Sequence, residues 1–348
     1  MDTCRALLPL PSPWALGAGL HAHDGFAAAL AEVAATLLAA PAEAAARLWA
    51  LERSFAEPPA LALPADTGTP LSRDEVADFD RRFGVRRCAE TGAATLLHGL
   101  VTALRRFMQL CAARPALHRR AAPQRDGFAA HIALLARCAG FAPSAAAPGA
   151  PAAMPPDPTL AEPIAAWTLW QGFHWTFFID VQGLVLSLLR FEHALAAGRM
   201  QDAALELETA ARLLRASGNA MELAADFAPP TYHDEVRPAM MPPHVASDRF
   251  SGLMAWDHAR LVRLWQQLRP RFAALPEALR PAHTQFVQAY RGMMDAHRGV
   301  CARFAGEAGA SLRSRGDDAA VQTLERIGRL RQELIAPAPT AAAAESAS

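Results

Sequence analysis

The sequence contains no lysine, and all 34 of its basic side chains are arginine. They are matched by 34 aspartates and glutamates, so the formal net charge is zero. Without lysine, neither a lysine Schiff base nor a lysine general base is available for catalysis. Because a chain with no net charge has no global field that attracts polyanions, we predict no nucleic-acid partner and no attachment to an anionic membrane.

Cysteine is also scarce and scattered. The five cysteines are an odd number and contain no Cys-x-x-Cys pair, which excludes a zinc ribbon and a dithiol redox motif. A chain of 348 residues is long enough to bury a substantial core, so we do not expect a disulfide framework. Residues 1–20 lack the clean apolar stretch of a secretory signal, and we therefore expect a cytoplasmic protein. The cysteines are Cys4, Cys88, Cys111, Cys138 and Cys301.

Alternating strand patterns are nearly absent, whereas apolar residues recur at helical spacing along most of the chain. We therefore predict an all-α fold. Ser72 and Glu75 have the spacing of a capping box, which predicts that a helix begins there. Segments 56–71 and 228–252 carry prolines and are predicted to be irregular. The predicted helices cover residues 26–55 with an interruption at Pro41, 88–113, 126–139, 165–197, 199–217, 253–269, 277–305 and 317–335.

The predicted helix 165–197 is long and apolar enough to cross a membrane. However, Gln171, His174 and Asp180 interrupt its apolar surface, and no basic cluster precedes it. We interpret it as the buried central helix of the protein. Asp180 then needs a partner, because a buried carboxylate is costly when it is alone.

Composition divides the chain into four predicted parts. Residues 1–140 form an N-terminal helical region, and residues 141–163 form an Ala/Pro-rich linker or long surface loop. Residues 164–336 form a helical core, which carries the candidate site described next. Residues 337–348 are predicted to be a disordered tail.

The most informative motif is the pentapeptide His297-Arg-Gly-Val-Cys301. Positions four apart lie on one helix face, about 6 Å from each other. One helix could therefore present an imidazole to a heme iron and a thiolate to a vinyl group at the porphyrin edge. The spacing alone is weak evidence, because a lone cysteine is more often a small core residue.

A second histidine, His258, lies on the preceding helix of a predicted hairpin that turns between Pro270 and Pro276. Two imidazoles on this hairpin could face each other across a heme if the helices stood wider apart than the usual 8–10 Å. The alternative is a structural histidine that pairs locally with Asp257. Asp257 itself is expected to have a helix N-terminal or solvent role.

Thirty-eight residues separate His258 from His297, and three separate His297 from Cys301. This pattern resembles the His-x(n)-His-x-x-x-Cys motif of the heme-dependent 3-methyl-L-tyrosine hydroxylases of saframycin-type antibiotic biosynthesis. These are histidine-ligated heme oxygenases whose helical fold is similar to that of tryptophan and indoleamine 2,3-dioxygenases. The segments at 230–243 and 250–258 resemble the same group and a related pyrrolnitrin-pathway heme protein. The resemblance covers residues 228–305, and the first 160 residues offer no match.

The resemblance implies that His258 and His297 are axial ligands of a heme iron and that Cys301 forms a single thioether to the heme. A bis-histidine iron has no open position for an oxidant, so one histidine must leave. We expect His258 to be this mobile, catalytic ligand, because His297 lies beside the covalent anchor. The implied reaction is ortho-hydroxylation of 3-methyl-L-tyrosine to 3-hydroxy-5-methyl-L-tyrosine, with peroxide or with dioxygen and a reductant.

Five further residues are candidates around this heme. Arg237 is predicted to pair with a heme propionate or a substrate carboxylate, and Tyr232 to bond a propionate or line the pocket. Ser251 and Gly252 are predicted to place backbone donors near the substrate, and His174 to lie close to its aromatic ring. The alternatives are a surface arginine, a packing tyrosine, an ordinary loop and a satisfied core histidine.

Two histidines near the N-terminus, His21 and His23, are not expected to bind a metal. Three other functions stay open at this point: a dioxygenase-like heme enzyme acting on an indole, a bis-histidine electron carrier or gas sensor, and a helical interaction protein without a cofactor. A homodimer is compatible with all of them. Cys301 favours the hydroxylase over the dioxygenase, because the thioether motif belongs to the hydroxylase.

Overall fold

The computed structural model describes residues 7–14, 16, 33, 41–52, 60–89, 93–138, 164–247, 250–305 and 320–337, which are almost entirely helical. The all-α prediction is confirmed. In chain order the elements are β1 (Leu8–Pro11), α1 (Pro41–Glu52), α2 (Arg73–Phe83), β2 (Val85–Cys88), α3 (Ala93–Ala113), α4 (Pro115–Arg120), α5 (Ala122–Cys138), α6 (Ala166–Ala196), α7 (Met200–Ala224), α8 (Trp256–Ala273), α9 (Arg280–Ala305) and α10 (Ala320–Ile335).

Several sequence predictions fall outside the described residues: His21, His23, Cys4, the first part of helix 26–55, the linker 141–163 and all but the first residue of the tail 337–348.

Helix α6 is the central helix of the fold, as predicted. It is the one described helix that is long and apolar enough to cross a membrane, but 83% of its most apolar window is buried inside the protein. Helices α3, α7 and α8 pack against it. Its buried Asp180 finds a partner in α5, because Gln124 donates a hydrogen bond of 3.0 Å to its carboxylate.

Helix α2 begins at the residue that the predicted capping box indicates. Glu75 N–H donates to the Ser72 hydroxyl, and Ser72 N–H donates to the Glu75 carboxylate, so the predicted capping box is present. Gly84 ends the helix in the left-handed conformation, at φ 68°, which glycine adopts without strain. The chain then enters β2, which pairs in parallel with β1. This two-stranded sheet was not predicted, because four-residue strands are too short to show an alternating pattern.

Helix α7 connects the core to α9 through a close approach at Gly218. A Cβ at Gly218 would lie 3.1 Å from the Cα of Met293 on α9. Since a backbone atom blocks the space, glycine allows the two helices to sit this close. The contact lies one turn before His297 on α9.

Helices α8 and α9 form the predicted hairpin, but their backbones are not closely packed along its length. Near the turn, large rings fill the space between them, with Trp265 against Tyr290 and Phe272 against His283. Helix α10 packs against both α8 and α9. Helix α8 also continues through Pro270 to Ala273, beyond its predicted end, because a proline in the last turn removes only one helical hydrogen bond.

The prediction that 228–252 is irregular is wrong for its first half. Residues 229–239 are helical and contain one π-helical turn, Tyr232–Val236. Pro229 and Pro230 occupy the first turn of this segment, where proline costs no hydrogen bond. The prolines therefore begin a helix rather than prevent one.

Candidate functional site

Helix α6 contributes His174 to the candidate site. Its Nδ1 donates to the carbonyl oxygen of Trp170 over 2.6 Å, which leaves Nε2 of the neutral ring as an acceptor. The ring stacks on Phe83 with a centroid separation of 4.9 Å and lies 4.6 Å from the ring of Trp170. The imidazole is therefore fixed in both position and tautomer.

Phe83, the last residue of α2, is held beside His174 by α6. The side chains of Gln171 and Trp175 both donate to the Phe83 carbonyl oxygen, at 3.0 and 2.7 Å. These bonds satisfy a carbonyl at the helix end that has no helical partner. Phe83 also stacks on Phe250, the residue before Ser251, at 6.0 Å. The loop that contains Ser251 thereby joins the same aromatic cluster as His174.

Helix α9 contributes His297 and Cys301 one turn apart. Cys301 differs from Cys88, Cys111 and Cys138, because it is half-buried and they are fully buried. All four are free, so among the described residues no disulfide forms. Burial raises the pKa of the Cys301 thiol to about 11, which keeps it protonated near neutral pH.

The π-helical turn brings Tyr232 and Arg237 to the same region. The Tyr232 ring stacks on Phe304 of α9 at 4.5 Å, and His233 donates to the Phe304 carbonyl oxygen over 2.9 Å. Burial raises the pKa of Tyr232, the nearby Arg237 lowers it, and Cys301 raises it further. Within the described ranges no carboxylate pairs with Arg237, so its guanidinium can receive an anion.

Asp257, next to His258 at the start of α8, is part of a buried ion network, so the expected solvent role is wrong. Its carboxylate forms an ion pair with Arg87 at 2.8 Å and accepts a hydrogen bond from Gln182 at 2.8 Å, and Arg87 also pairs with Asp80 through two contacts of 2.8 Å. Burial lowers the pKa of Arg87, but the two carboxylates together outweigh burial, so the net shift is upward. This network ties the first turn of α8 to α2, β2 and α6 and so positions His258.

An arginine that the sequence analysis missed contacts one candidate heme ligand. Nη1 of Arg331, on α10, is 3.2 Å from Nε2 of His258. Burial lowers the pKa of His297, and the charge of Arg331 lowers it further. No motif signals Arg331, because an arginine on an amphipathic helix normally faces water. His258 thus has a partner on α10, while the carboxylate of the neighbouring Asp257 belongs to the ion network.

The imidazoles of His174 and His297 are neutral and close to each other. Burial is the main cause that lowers each pKa to about 4, and His297 lowers the pKa of His174 further. Both side chains are nevertheless only half-buried. The ring of Trp170 contacts both His174 and Tyr232, and electrostatic interactions couple His174 to His297 and Tyr232 to Cys301. These residues thus lie in one region with aromatic neighbours, and Arg331 connects His258 to it.

Three polar groups near this region have no hydrogen-bond partner among the described residues. They are the hydroxyl of Ser251 and the indole N–H groups of Trp167 and Trp170, and all three are buried. Such groups are stabilised when a ligand completes their hydrogen bonds. Gly252, by contrast, is exposed, and a Cβ there would meet nothing within 4 Å. Its predicted contact with the substrate stays a prediction.

The residues present fit a heme better than a bare metal ion. In the described part of the chain no three His, Cys, Asp or Glu side chains group closely enough to hold a metal. A porphyrin supplies four nitrogens itself and needs only one or two protein ligands, which neutral imidazoles provide. Aromatic neighbours suit its apolar faces, and Arg237 suits a propionate. The fold and these residues thus define an all-α protein whose histidines and aromatic side chains suit a heme.

The comparisons with known proteins identify the family. The model of the SfmD 3-methyl-L-tyrosine peroxygenases matches residues 8–282, and the chain belongs to this family. A 3-methyl-L-tyrosine peroxygenase from Streptomyces lavendulae is 29% identical over 252 residues, which are 70% of this chain and 66% of that protein. A crystal structure of reduced SfmD, soaked with sodium hydrosulfite, superposes with a TM-score of 0.55 at 25% identity over 82% of this chain and 97% of that one.

The family match includes His174, Tyr232, Arg237, Ser251 and His258 but ends before the C-terminal part of the site. The segment from residue 283 onward, which carries His297, Cys301 and helix α10, lies outside the family match. The roles proposed for it therefore rest on the geometry of this structure alone.

Proposed function

We propose that this protein is a heme-dependent peroxygenase that hydroxylates a tyrosine derivative in the biosynthesis of an antibiotic. One oxygen atom of hydrogen peroxide enters the aromatic C–H bond ortho to the phenol hydroxyl, and the other oxygen atom leaves as water. The proposed substrate is 3-methyl-L-tyrosine and the product is 3-hydroxy-5-methyl-L-tyrosine. The observation that carries the proposal is the match to the peroxygenase family, and it is supported by Arg331, which interacts with both His258 and His297.

In this proposal His258 and His297 would hold the heme iron, and Cys301 would form one thioether to a vinyl group. A bound heme supplies the oxidising chemistry that no protein side chain offers. The thiol of Cys301 lies one helical turn from His297, about 6 Å along the same face, which is the reach that joint attachment needs. Tyr232 stacks beside this face, and Arg237 pairs with a propionate or with the substrate carboxylate.

The proposed reaction also needs an open coordination position on the heme iron, so one of the two histidines has to leave. His297 is held on α9 beside the covalent anchor, whereas His258 lies in the first turns of α8. We therefore assign His258 as the ligand that leaves when the oxidant binds, which makes it the catalytic residue of the pair.

The substrate is placed by residues near His174. Because Nδ1 of His174 is used by the Trp170 carbonyl oxygen, the lone pair of Nε2 can accept the phenol hydroxyl proton in a hydrogen bond. The unpartnered Ser251 hydroxyl suits the polar amino-acid end of the substrate, and Gly252 follows it in the same loop. The aromatic rings around His174 exclude water and hold the substrate ring in one plane.

The test of this function is turnover of 3-methyl-L-tyrosine by the purified holoprotein with hydrogen peroxide, with the product identified by mass spectrometry. A gain of one oxygen atom supports the proposal. Turnover of tryptophan instead would favour the indole dioxygenase, and no spectral change with any aromatic amino acid would favour the electron carrier.

His258→Ala is expected to keep its heme and lose low-spin character. The control is His193→Ala, on the exposed end of α6; loss of all heme in His258→Ala alone would contradict the assignment.

A further inference from the structure

Arg331 offers His258 a second partner, and this inference rests on the proposed function. A guanidinium has donors only, so in the 3.2 Å contact with Arg331 the Nε2 atom of His258 is the acceptor. The contact uses the lone pair of Nε2, which is also the lone pair that would bind a metal. The same nitrogen cannot serve both partners at once.

We propose that Arg331 holds His258 away from the iron and thereby keeps one face of the heme open for the oxidant. His258 then has two alternative states, bound to iron through Nε2 or hydrogen-bonded to Arg331 through Nε2. The arginine stabilises the second state, and the balance between them sets how readily peroxide gains access.

The position of Arg331 is fixed by the way α10 is held on α9. Arg298 pairs with Glu325 at 2.8 Å, and the Tyr290 hydroxyl donates to the Gly328 carbonyl oxygen at 3.0 Å. At the end of the helix, Nε2 of His283 donates to the Ile335 carbonyl oxygen at 2.7 Å. These three contacts lie on both sides of Arg331 in the sequence.

Close packing adds to these polar contacts. A Cβ at Gly328 would lie 2.9 Å from Cε of Met294, so α10 approaches α9 closely just one turn before Arg331. Since α10 also packs on α8, the guanidinium is presented to His258 by a helix that contacts both arms of the hairpin. The contact is thus part of the fold and does not depend on a loop.

The experiment compares the wild-type holoprotein with Arg331→Met, which removes the donors and keeps much of the volume. The ferric spin state is measured by absorption and electron paramagnetic resonance, and the rate of cyanide binding reports how often one heme face is open. Arg331→Met is expected to raise the low-spin fraction and to slow cyanide binding by about tenfold, the effect of losing one charged hydrogen bond. Arg331→Lys keeps a donor and is expected to restore most of the wild-type rate.

The matched control is Arg329→Met, because Arg329 is exposed on the same helix. An unchanged spin state and cyanide rate in Arg331→Met, or faster binding, would overturn the proposal. If that variant does not fold, Arg331→Gln is measured in the same way and decides by the same criteria. Failure of the underlying function is distinguishable: a wild-type protein that binds no heme refutes the peroxygenase, whereas a bis-histidine heme unaffected by Arg331 refutes this role alone.

Discussion

His131 is a neutral imidazole enclosed where α5 meets α6. Its side chain is fully buried, and neither ring nitrogen has a hydrogen-bond partner among the described residues. The ring sits against Gly183, where a Cβ would come within 3.0 Å of it. Burial lowers the pKa of His131 to about 4. His131 therefore couples the stability of the core to pH without taking part in the candidate site.

This coupling predicts a loss of stability in acid. The unfolded chain takes up a proton at about pH 6.5, whereas folded His131 does so only at about pH 4. The stabilisation is thus complete above pH 6.5 and is lost as the pH falls toward 4, by about 2 kcal/mol at pH 5. We expect His131→Leu to reduce the fall in the free energy of unfolding between pH 7.5 and 5, measured by urea titration. The control is His118→Gln at an exposed position, and equal pH dependence in both variants would contradict the prediction.

The site residues differ in how readily the sequence reveals them. His258, His297 and Cys301 form a spaced motif, which makes them candidates from the sequence alone, and their roles stay predictions. Arg331 has no such signal, because its role depends on where α10 docks, which sequence periodicity does not specify. Asp257 lies in the first turn of α8, as one of its two expected roles requires, but the solvent role was wrong for a similar reason, since its partner Arg87 is 170 positions away in the chain.

At the scale of elements, the ion network of Asp257 fixes the start of α8. Replacing Asp257 by Asn leaves the buried Arg87 with one of its two carboxylates and weakens the contact with Gln182. Removing one partner of a buried pair costs about 3 kcal/mol, because a buried charge is left without compensation. We expect Asp257→Asn to lower the free energy of unfolding by that amount, measured by urea titration.

A matched control comes from the surface of α7. Asp202 pairs with Arg199 at 3.3 Å, with both side chains about half exposed, and the loss of such a pair costs at most about 1 kcal/mol. Similar losses in Asp202→Asn and Asp257→Asn would show that the buried network does not fix α8.

Two glycine-to-alanine substitutions test the packing of α9 on α7, and they are expected to have opposite effects on stability. Gly218→Ala forces a Cβ against the Cα of Met293 and is expected to destabilise the fold by about 1–3 kcal/mol. Gly292→Ala, on the open side of α9, meets nothing within 4 Å and is expected to stabilise it by about 0.5–1 kcal/mol through helix propensity. Thermal unfolding measures both, and a stabilised Gly218→Ala would contradict the close approach.

At the scale of the whole molecule, the sequence predicted the fold class and most helices, because apolar periodicity records which face of each helix is buried. It missed the pairing of β1 with β2 and the helical segment 229–239. The strand pairing depends on contacts between residues that are distant in the chain. The helical segment begins with prolines, which are equally common at the start of a loop. The backbones of α8 and α9 approach each other closely at few positions, and a heme between His258 and His297 stays a prediction.

The measurement that tests the central claim most directly is the pyridine hemochrome spectrum of the purified protein before and after acid–acetone extraction. We predict a heme that stays with the protein and absorbs between ordinary b-type and c-type hemes, as one thioether requires. Cys301→Ala is expected to release the heme on extraction, whereas Cys111→Ala, at a buried core position, is expected to retain it. A wild-type protein without heme, or one whose heme is fully extracted, would contradict the account.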